Sequence, residues 1–228
     1  MRLGPLPAGL LDARVAPSIT VVDRHGEVLY EARGGDGTRG SALIPADVPP
    51  ALAAATIAAE DARFRRHAGV DPVAVVRALW RNVRARRVVE GGSTITQQVA
   101  ELLLRRQGHS PARRFGAKLR EAVIALRLEH RLSKDEILAL YLSLAPYGNQ
   151  ITGAARASRA YFGRPVAELT VAESAYLAAL PQQPTRFNPW RRPEAARARQ
   201  QRIIDEMALR RWITAEAAGA RPRAGATG

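Results

Sequence analysis

The sequence contains no cysteine, few aromatic residues and no long apolar run. The absence of cysteine among 228 residues excludes disulfides and cysteine-ligated metal sites but leaves the cellular compartment open. No apolar run approaches the roughly 20 residues that cross a bilayer, and residues 1 to 20 lack a secretory signal pattern. The four histidines lie singly and predict no zinc site. From these absences we expect a protein that is soluble or attached peripherally to a membrane.

Acidic residues are outnumbered, with 21 Asp+Glu against 35 Lys+Arg, which gives a net charge of +14. Only two of the basic residues are lysines, Lys118 and Lys134. Such a surplus predicts an anionic partner, namely nucleic acid, an anionic membrane face or a phosphorylated substrate. Because aromatic residues make up only 5% and no base-reading motif occurs, we expect no nucleic-acid partner.

The hydrophobic pattern predicts a mainly α protein with a short N-terminal β-hairpin. Two β-rich runs, at 19–22 and 28–30, flank Asp23-Arg24-His25-Gly26, which is predicted to form the turn. Helices are predicted over 52–64, from 72, over 94–104, from 111, from 133, from 170 to 180 and after Pro193. In the fourth of these the apolar stripe consists of Phe115, Leu119, Ala122, Val123 and Leu126. We expect a lead-in and hairpin over 1–45, a main domain over 46–190 and a helical connector over 191–228.

Glu60 and Asp61 are adjacent acids at the end of an alanine-rich helix. Most such pairs simply face solvent at a helix end. Here the preceding apolar helix is expected to be buried, which would raise the pKa of Glu60 toward the range of a general base. Phe64 and His67 follow at helical and turn spacing and would orient the carboxylate.

Two further segments offer polar groups for an anionic substrate. The run from Gly91 to Gln98 combines a Gly-Gly lead with hydroxyl side chains, which suits phosphate or sugar, but Thr94 and Gln97 also have capping-box spacing. These two interpretations are equally supported by the residues. The fourth helix carries a run of basic residues before Glu121, which is either a phosphate site or a solvated face in which Lys118 pairs with Glu121. The basic residues are Arg113, Arg114, Lys118 and Arg120.

Together these motifs resemble the glycosyltransferase domain of class A penicillin-binding proteins, which extend glycan chains from lipid II. The resemblance covers about 49–189 in order, and the turn at 145–148 is most like the penicillin-binding protein 1C branch. The motifs are Glu60-Asp61-x-x-Phe64-x-x-His67-x-Gly69, Gly91 to Gln98, Lys118-x-x-Glu121, Lys134-x-x-Ile137-Leu138-x-x-Tyr141-Leu142, Ala160 to Gly163 and Leu177 to Pro181.

The resemblance implies a lysozyme-like α domain with a small membrane-facing lobe, on the outer face of the bacterial cytoplasmic membrane. It implies Glu60 as the general base and Glu121 as a second acid beside the pyrophosphate, with Mg²⁺ or Mn²⁺ near Glu121 and no organic cofactor. Substrate-binding residues would be Asp61, Phe64, His67, Ser93, Thr94, Gln97, Gln98, Arg113, Lys118 and Arg120. The implied partners are lipid II, the growing glycan chain, the membrane surface and other cell-wall synthesis proteins.

Three positions depart from the family pattern, namely Ala117, Glu101 and Ser143. Glu101 stands where a basic residue is usual and would repel a diphosphate. The Ser-x-x-Lys nucleophile of a transpeptidase domain does not occur in the sequence, so we expect no such domain here. Two alternative functions stay open: a catalytically impaired module that binds lipid II or membrane, and a lysozyme-like enzyme that cleaves glycan.

Overall fold

The computed structural model describes residues 4–11, 19–24, 28–32, 42–86, 92–109, 115–181 and 193–219. As predicted, this part of the chain is mainly helical. The helices are α1 (Pro50–Glu60), α2 (Pro72–Ala85), α3 (Ile95–Arg106), α4 (Phe115–Glu129), α5 (Lys134–Leu144), α6 (Ala154–Phe162), α7 (Val171–Ala179), α8 (Pro193–Leu209) and α9 (Ala215–Gly219). Short 3₁₀ turns lie at Pro45–Asp47, Phe64–Arg66 and Val166–Glu168. Within the described ranges, no helix is both long enough and apolar enough to cross a membrane.

Two short strands, β1 (Ile19–Val22) and β2 (Val28–Ala32), pair antiparallel. Ile19 lies opposite Ala32, and the register shifts between Val21 and Val22. The predicted turn between the strands includes residues 25–27, which lie outside the described residues.

The chain divides into two compact units, each described here by itself. The first comprises Met1–Ala13 and Glu60–Tyr141. In it α3 packs against α4 through buried apolar side chains, which are Val99, Ala100, Leu103, Ile124, Ala125 and Leu128. The N-terminal segment joins this unit, because Arg127 Nη1 donates to the carbonyl of Pro5 at 3.0 Å and Leu10 is buried.

The second unit comprises Arg14–Ala59 and Leu142–Gly228. Its α7 packs on α8 in a cluster of small and branched side chains that also includes Ala55 of α1. The cluster consists of Ala55, Ala175, Ala178, Ala179, Ile203, Ile204 and Met207. Alanine at four of these positions lets the helix backbones approach closely. Ser143, one of the departures from the family pattern, is buried here and its hydroxyl accepts a hydrogen bond from the Leu43 N–H at 2.9 Å.

The predicted apolar stripe of α4 is wrong. Leu119 is 58% exposed, and Ala122, Val123 and Leu126 are only half-buried. The fully buried positions are Glu121, Ile124, Ala125 and Leu128. The pattern failed because a carboxylate occupies the buried face, so the most apolar stripe of the sequence is not the face that packs. The side chain of Phe115 lies outside the described residues.

The first helix also ends earlier than predicted, at Glu60 rather than Phe64. Asp61 is the first residue beyond it, and its carboxylate accepts hydrogen bonds from Ile95 and His67. The chain then forms the 3₁₀ turn that buries Phe64. The helix therefore stops where its next side chain is used to bind other segments.

Candidate active site

Glu60 is the last residue of α1 and lies half-buried beside the first turn of α3. The side-chain amide of Gln98 donates a hydrogen bond to Glu60 Oε2 at 2.9 Å. An N–H donor stabilises the ionised form of a carboxylate, which is the form that can accept a proton. The structure thus brings two of the predicted site residues together and fixes one oxygen of the proposed base.

The start of α3 is a complete capping box. Thr94 is the N-cap, its Oγ1 accepts from the N–H of Gln97 at 3.1 Å, and Gln97 Oε1 accepts from the N–H of Thr94 at 2.9 Å. Thr94 also donates its hydroxyl proton to the carbonyl of Gly69 at 2.6 Å. The capping interpretation is therefore confirmed, and both side chains are buried. Ser93, just before the helix, is half-buried.

Asp61 and His67 form a buried pair behind this helix start. Asp61 Oδ2 accepts from the N–H of Ile95 at 3.1 Å and lies 2.9 Å from His67 Nε2. His67 Nδ1 accepts from the N–H of Gly69 at 3.2 Å, so this network places the ring proton on Nε2, where it is donated to Asp61. These two predicted substrate residues hold the first turn of α3.

Lys134 completes this group, which we call the Asp61 cluster: Asp61, Phe64, His67, Gly69, Glu129 and Lys134. The ammonium donates to the carbonyl of His67 and to Glu129 Oε1, each at 2.6 Å, and lies 4.4 Å from the ring centroid of Phe64. Sequence reasoning noted Lys134 only as part of a motif. Its contacts depend on a chain reversal that sequence spacing does not show.

A second group of charges joins α3 to α4, and we call it the Lys118 cluster: Glu101, Arg105, Lys118 and Glu121. Lys118 Nζ lies 2.6 Å from Glu121 Oε2 and 3.7 Å from Glu101 Oε2. Arg105 Nη2 lies 2.5 Å from Glu101 Oε1. The predicted pairing of Lys118 with Glu121 is therefore confirmed. Glu101 was recognised as unusual. Its pair with Arg105 has i,i+4 spacing and could have been predicted, whereas its pair with Lys118 depends on the packing of α3 on α4.

The structure does not join two further predicted basic residues, Arg113 and Arg120, to this cluster, for different reasons. Arg113 lies outside the described residues. Arg120 follows Lys118 by two positions, about 200° around α4, and lines a separate apolar cavity of about 510 Å³. Leu104, Leu119 and Val123 form part of the wall of this cavity. The structure thus does not bring Arg120 into the Lys118 cluster.

Comparison with known proteins agrees with these motifs. The family model described as transglycosylase matches residues 25–208. The chain belongs to the transglycosylase family. It is 41% identical over 208 residues to penicillin-binding protein 1C of Escherichia coli K12, covering 91% of this chain and 26% of that protein. It is 41% identical over 170 residues to penicillin-binding protein 1A of Aquifex aeolicus, covering 74% of this chain and 23% of that protein.

This transglycosylase chain therefore spans about a quarter of the length of these relatives. Among solved structures, the 2.6 Å crystal structure of penicillin-binding protein 1A from Haemophilus influenzae matches 90% of this chain and 20% of that chain. Its TM-score is 0.49 at 20% sequence identity.

One group of acids and histidine has a spacing that could hold a metal ion, within the part of this transglycosylase chain that is described. Asp61, His67 and Asp71 each offer a ligand atom, all within 4.8 Å of one another. Asp71, however, pairs with Arg63 Nε at 3.1 Å and caps α2 through the N–H of Val73. Because these carboxylates already bind protein donors, the group is better explained as a structural network.

Proposed function

We propose that this chain is a peptidoglycan glycosyltransferase that polymerises lipid II into glycan chains by inverting transfer. The observation that carries the proposal is the hydrogen bond from Gln98 to Glu60, which fixes one carboxylate oxygen of Glu60 at the end of α1. Transglycosylase family membership supplies the reaction class. If Glu60 were a helix-end acid without a role, nothing would explain why the Gln98 side chain gives up conformational entropy to hydrogen-bond it.

Glu60 acts as the general base. It takes the proton of the acceptor's sugar 4-hydroxyl as that oxygen bonds to the anomeric carbon of the donor. The bond between this carbon and the diphosphate oxygen breaks on the opposite side, so the configuration inverts and undecaprenyl pyrophosphate leaves with the electron pair. Gln98 holds the carboxylate in place for this proton transfer. A well-placed general base raises the reaction rate by a factor of about 100 or more.

Lys118 and Glu121 act at the leaving diphosphate. The Lys118 side chain is 53% exposed, and its ammonium has three donor hydrogens, of which Glu121 engages one. Positive charge placed where negative charge grows lowers the barrier to departure. Glu121 is buried, so its ion pair keeps the ammonium on this face of α4. Ser93 and Arg113 complete the proposed substrate-binding set.

The described residues around Glu121 fit a resident divalent cation poorly. Mg²⁺ takes six oxygen ligands, whereas Glu121 Oε2 is already engaged by the ammonium of Lys118. We therefore assign no step of the reaction to a metal. A cation that enters together with the diphosphate stays a prediction.

Helix α2 is the proposed membrane-facing part of a lysozyme-like domain. It exposes a broad apolar arc of large side chains that no described residue of its unit covers, among them Leu79 at 63% and Trp80 at 61% exposure. The other members of the arc are Val73, Val75, Val76 and Val83. Arg84 stacks over Trp80 at 5.7 Å, and the helix contains no acidic residue. Such a surface suits a lipid interface on the periplasmic side, where the lipid tail of the substrate is anchored.

The test is the growth of glycan chains from labelled lipid II in detergent, followed on gels. The wild type is compared with Glu60→Gln, which keeps the size of the side chain, and with Glu168→Gln, an exposed glutamate of the Val166–Glu168 turn. We expect long chains from the wild type and from Glu168→Gln. Glu60→Gln should lower the rate at least about 100-fold.

Three outcomes would contradict the proposal in different ways. Lipid II binding without turnover, unchanged by Glu60→Gln, would establish a binding module without catalysis. Release of soluble muropeptides from purified sacculi would establish a glycan-cleaving enzyme instead. A near-normal rate for Glu60→Gln would remove Glu60 from the mechanism.

A further inference from the structure

We propose that Glu101 is an internal counter-ion of the diphosphate subsite, which competes with the diphosphate for Lys118 and so weakens the binding of that anion. This rests on the proposed function, because it takes Lys118 as a ligand of the diphosphate. The consequence is a subsite that holds its leaving group less tightly than Lys118 alone would.

The geometry places four charges of alternating sign on two helices. Glu101 divides its carboxylate between two cations, with Oε1 at 2.5 Å from Arg105 Nη2 and Oε2 at 3.7 Å from Lys118 Nζ. Lys118 in turn lies 2.6 Å from Glu121. The formal charges of the Lys118 cluster sum to zero, so an approaching diphosphate meets no net positive charge from these four groups.

The two carboxylates hold Lys118 differently. Glu121 is 7% exposed in its side chain and hydrogen-bonds the ammonium at 2.6 Å, so it stays paired. Glu101 is 28% exposed, and 3.7 Å exceeds hydrogen-bond distance, so its attraction to Lys118 is purely Coulombic. Glu101 is therefore the partner that yields when an oxyanion binds the exposed side of the ammonium.

Arg105 gives Glu101 a second partner one helical turn along α3. When a diphosphate occupies Lys118, Glu101 keeps its hydrogen bond to Arg105. Without Arg105 the carboxylate would turn entirely to Lys118 and compete more strongly. Arg105 thus acts on diphosphate binding through Glu101, as a positioning residue.

The direct test measures the affinity for inorganic pyrophosphate by isothermal titration calorimetry, at low ionic strength and without divalent cations. We expect Glu101→Gln to bind about fivefold more tightly than wild type, the effect of removing one solvent-screened charge at about 4 Å. Glu206→Gln is the matched control, because Glu206 forms the same i,i+4 pair with Arg210 at 2.7 Å in the second unit. It makes the same change in net charge and should leave the affinity unchanged.

The pyrophosphate affinity of Arg105 variants gives a second, independent test. Arg105→Gln should bind pyrophosphate more weakly than wild type, and the double variant with Glu101→Gln should bind within about twofold of the single Glu101→Gln. Equal losses from Arg105→Gln in both backgrounds would show that Arg105 contacts the anion directly, which overturns its role as a positioning residue. In turnover, Glu101→Gln should raise kcat/KM for lipid II, whereas a folding defect would lower it.

Lys118→Gln separates this proposal from the proposed function. Weaker binding by Lys118→Gln, together with unchanged or weaker binding by Glu101→Gln, would overturn the role of Glu101 and leave the diphosphate subsite intact. Unchanged binding by Lys118→Gln would overturn the subsite and the role of Glu101 together. Thermal melts check that each variant folds. Should Lys118→Gln not fold, Lys118→Arg keeps Glu121 paired, and Glu101→Gln must still tighten binding in that background.

Discussion

The Asp61 cluster and the Lys118 cluster lie in the same unit and both contain paired charges, yet their charged side chains differ in solvent exposure. In the Asp61 cluster the side chains of Asp61 and His67 are about 95% buried, and Lys134 makes three short contacts. In the Lys118 cluster the side chain of Lys118 is 53% exposed, and one of the two ion pairs of its ammonium is 3.7 Å long. A fully satisfied buried network fixes structure, whereas a partly exposed cation remains able to bind a ligand.

The neighbours Glu60 and Asp61 give the sharpest form of this comparison. Glu60→Gln should abolish at least about 99% of polymerase activity while leaving the melting temperature near that of wild type. Asp61→Asn should instead lower stability by about 2 kcal/mol, because it replaces the charged acceptor of two hydrogen bonds, those from the N–H groups of Ile95 and His67 to Oδ2, with a neutral one. Chain growth on gels and thermal melts of both variants check this, and a stable, inactive Asp61→Asn would move Asp61 into the catalytic group.

Gly69 tests how tightly the Asp61 cluster packs on α4. Its φ is +93°, and a Cβ built there would lie 2.9 Å from the backbone of Ala125. We expect Gly69→Ala to cost about 3 kcal/mol in the free energy of unfolding, from strain and overlap together. Gly108→Ala is the control, since Gly108 has φ +84° but no atom within 4 Å of the built Cβ, and it should cost about 1 kcal/mol. Equal losses in urea melts would mean that the contact with α4 is easily relieved.

The ion pair of Lys134 with Glu129 is largely buried, whereas that of Arg65 with Asp135 is exposed, and variants of the two cations compare them. Lys134→Met should destabilise by about 2 kcal/mol, because it leaves the Glu129 carboxylate, 9% exposed, without its cation. Arg65→Met removes the cation of the exposed pair with Asp135 and should cost less than about 1 kcal/mol. Denaturant midpoints measure both, and a smaller loss for Lys134 would show that Glu129 finds another partner.

The smallest expected difference lies between two capping boxes of the same type. Thr94→Ala and Thr170→Ala each remove an N-cap hydroxyl, which typically costs about 1 kcal/mol. Both hydroxyls also donate a hydrogen bond, Thr94 to the carbonyl of Gly69 and Thr170 to Glu173 Oε2. Thr94 is buried and Thr170 is exposed, so water can replace the lost hydroxyl only at Thr170, and the loss at Thr94 should be larger by about 1 kcal/mol. If the two thermal shifts were equal, the link from α3 to Gly69 would contribute little.

Local signals in the sequence were sufficient for much of the fold. The capping box of Thr94 and Gln97 was recognised from spacing alone, since a capping box depends on residues three apart. The buried face of α4 was missed because Glu121 lies on it, and a carboxylate at a buried position contradicts the hydrophobic pattern. The end of α1 was missed because it depends on Ile95, which is distant in sequence.

The sequence named the residues of the candidate site but not the contacts that these residues make. The family motif predicted Glu60 and Asp61 in one substrate site. In the structure Glu60 accepts a hydrogen bond from Gln98, whereas Asp61 binds the N–H of Ile95 at the start of α3. Glu101 was predicted only to repel a diphosphate. Its pair with Arg105 follows from i,i+4 spacing within α3. Its approach to Lys118 follows from the packing of α3 on α4, which no single-sequence pattern encodes.

The chain has two lysines, and they differ in chemical accessibility. Lys134 is 20% exposed in its side chain and donates to two acceptors, whereas Lys118 is 53% exposed. An amine-reactive reagent used at low excess should therefore modify Lys118 in preference to Lys134. A dye or spin label attached this way would report directly from the proposed diphosphate subsite, and added pyrophosphate should protect the site from modification.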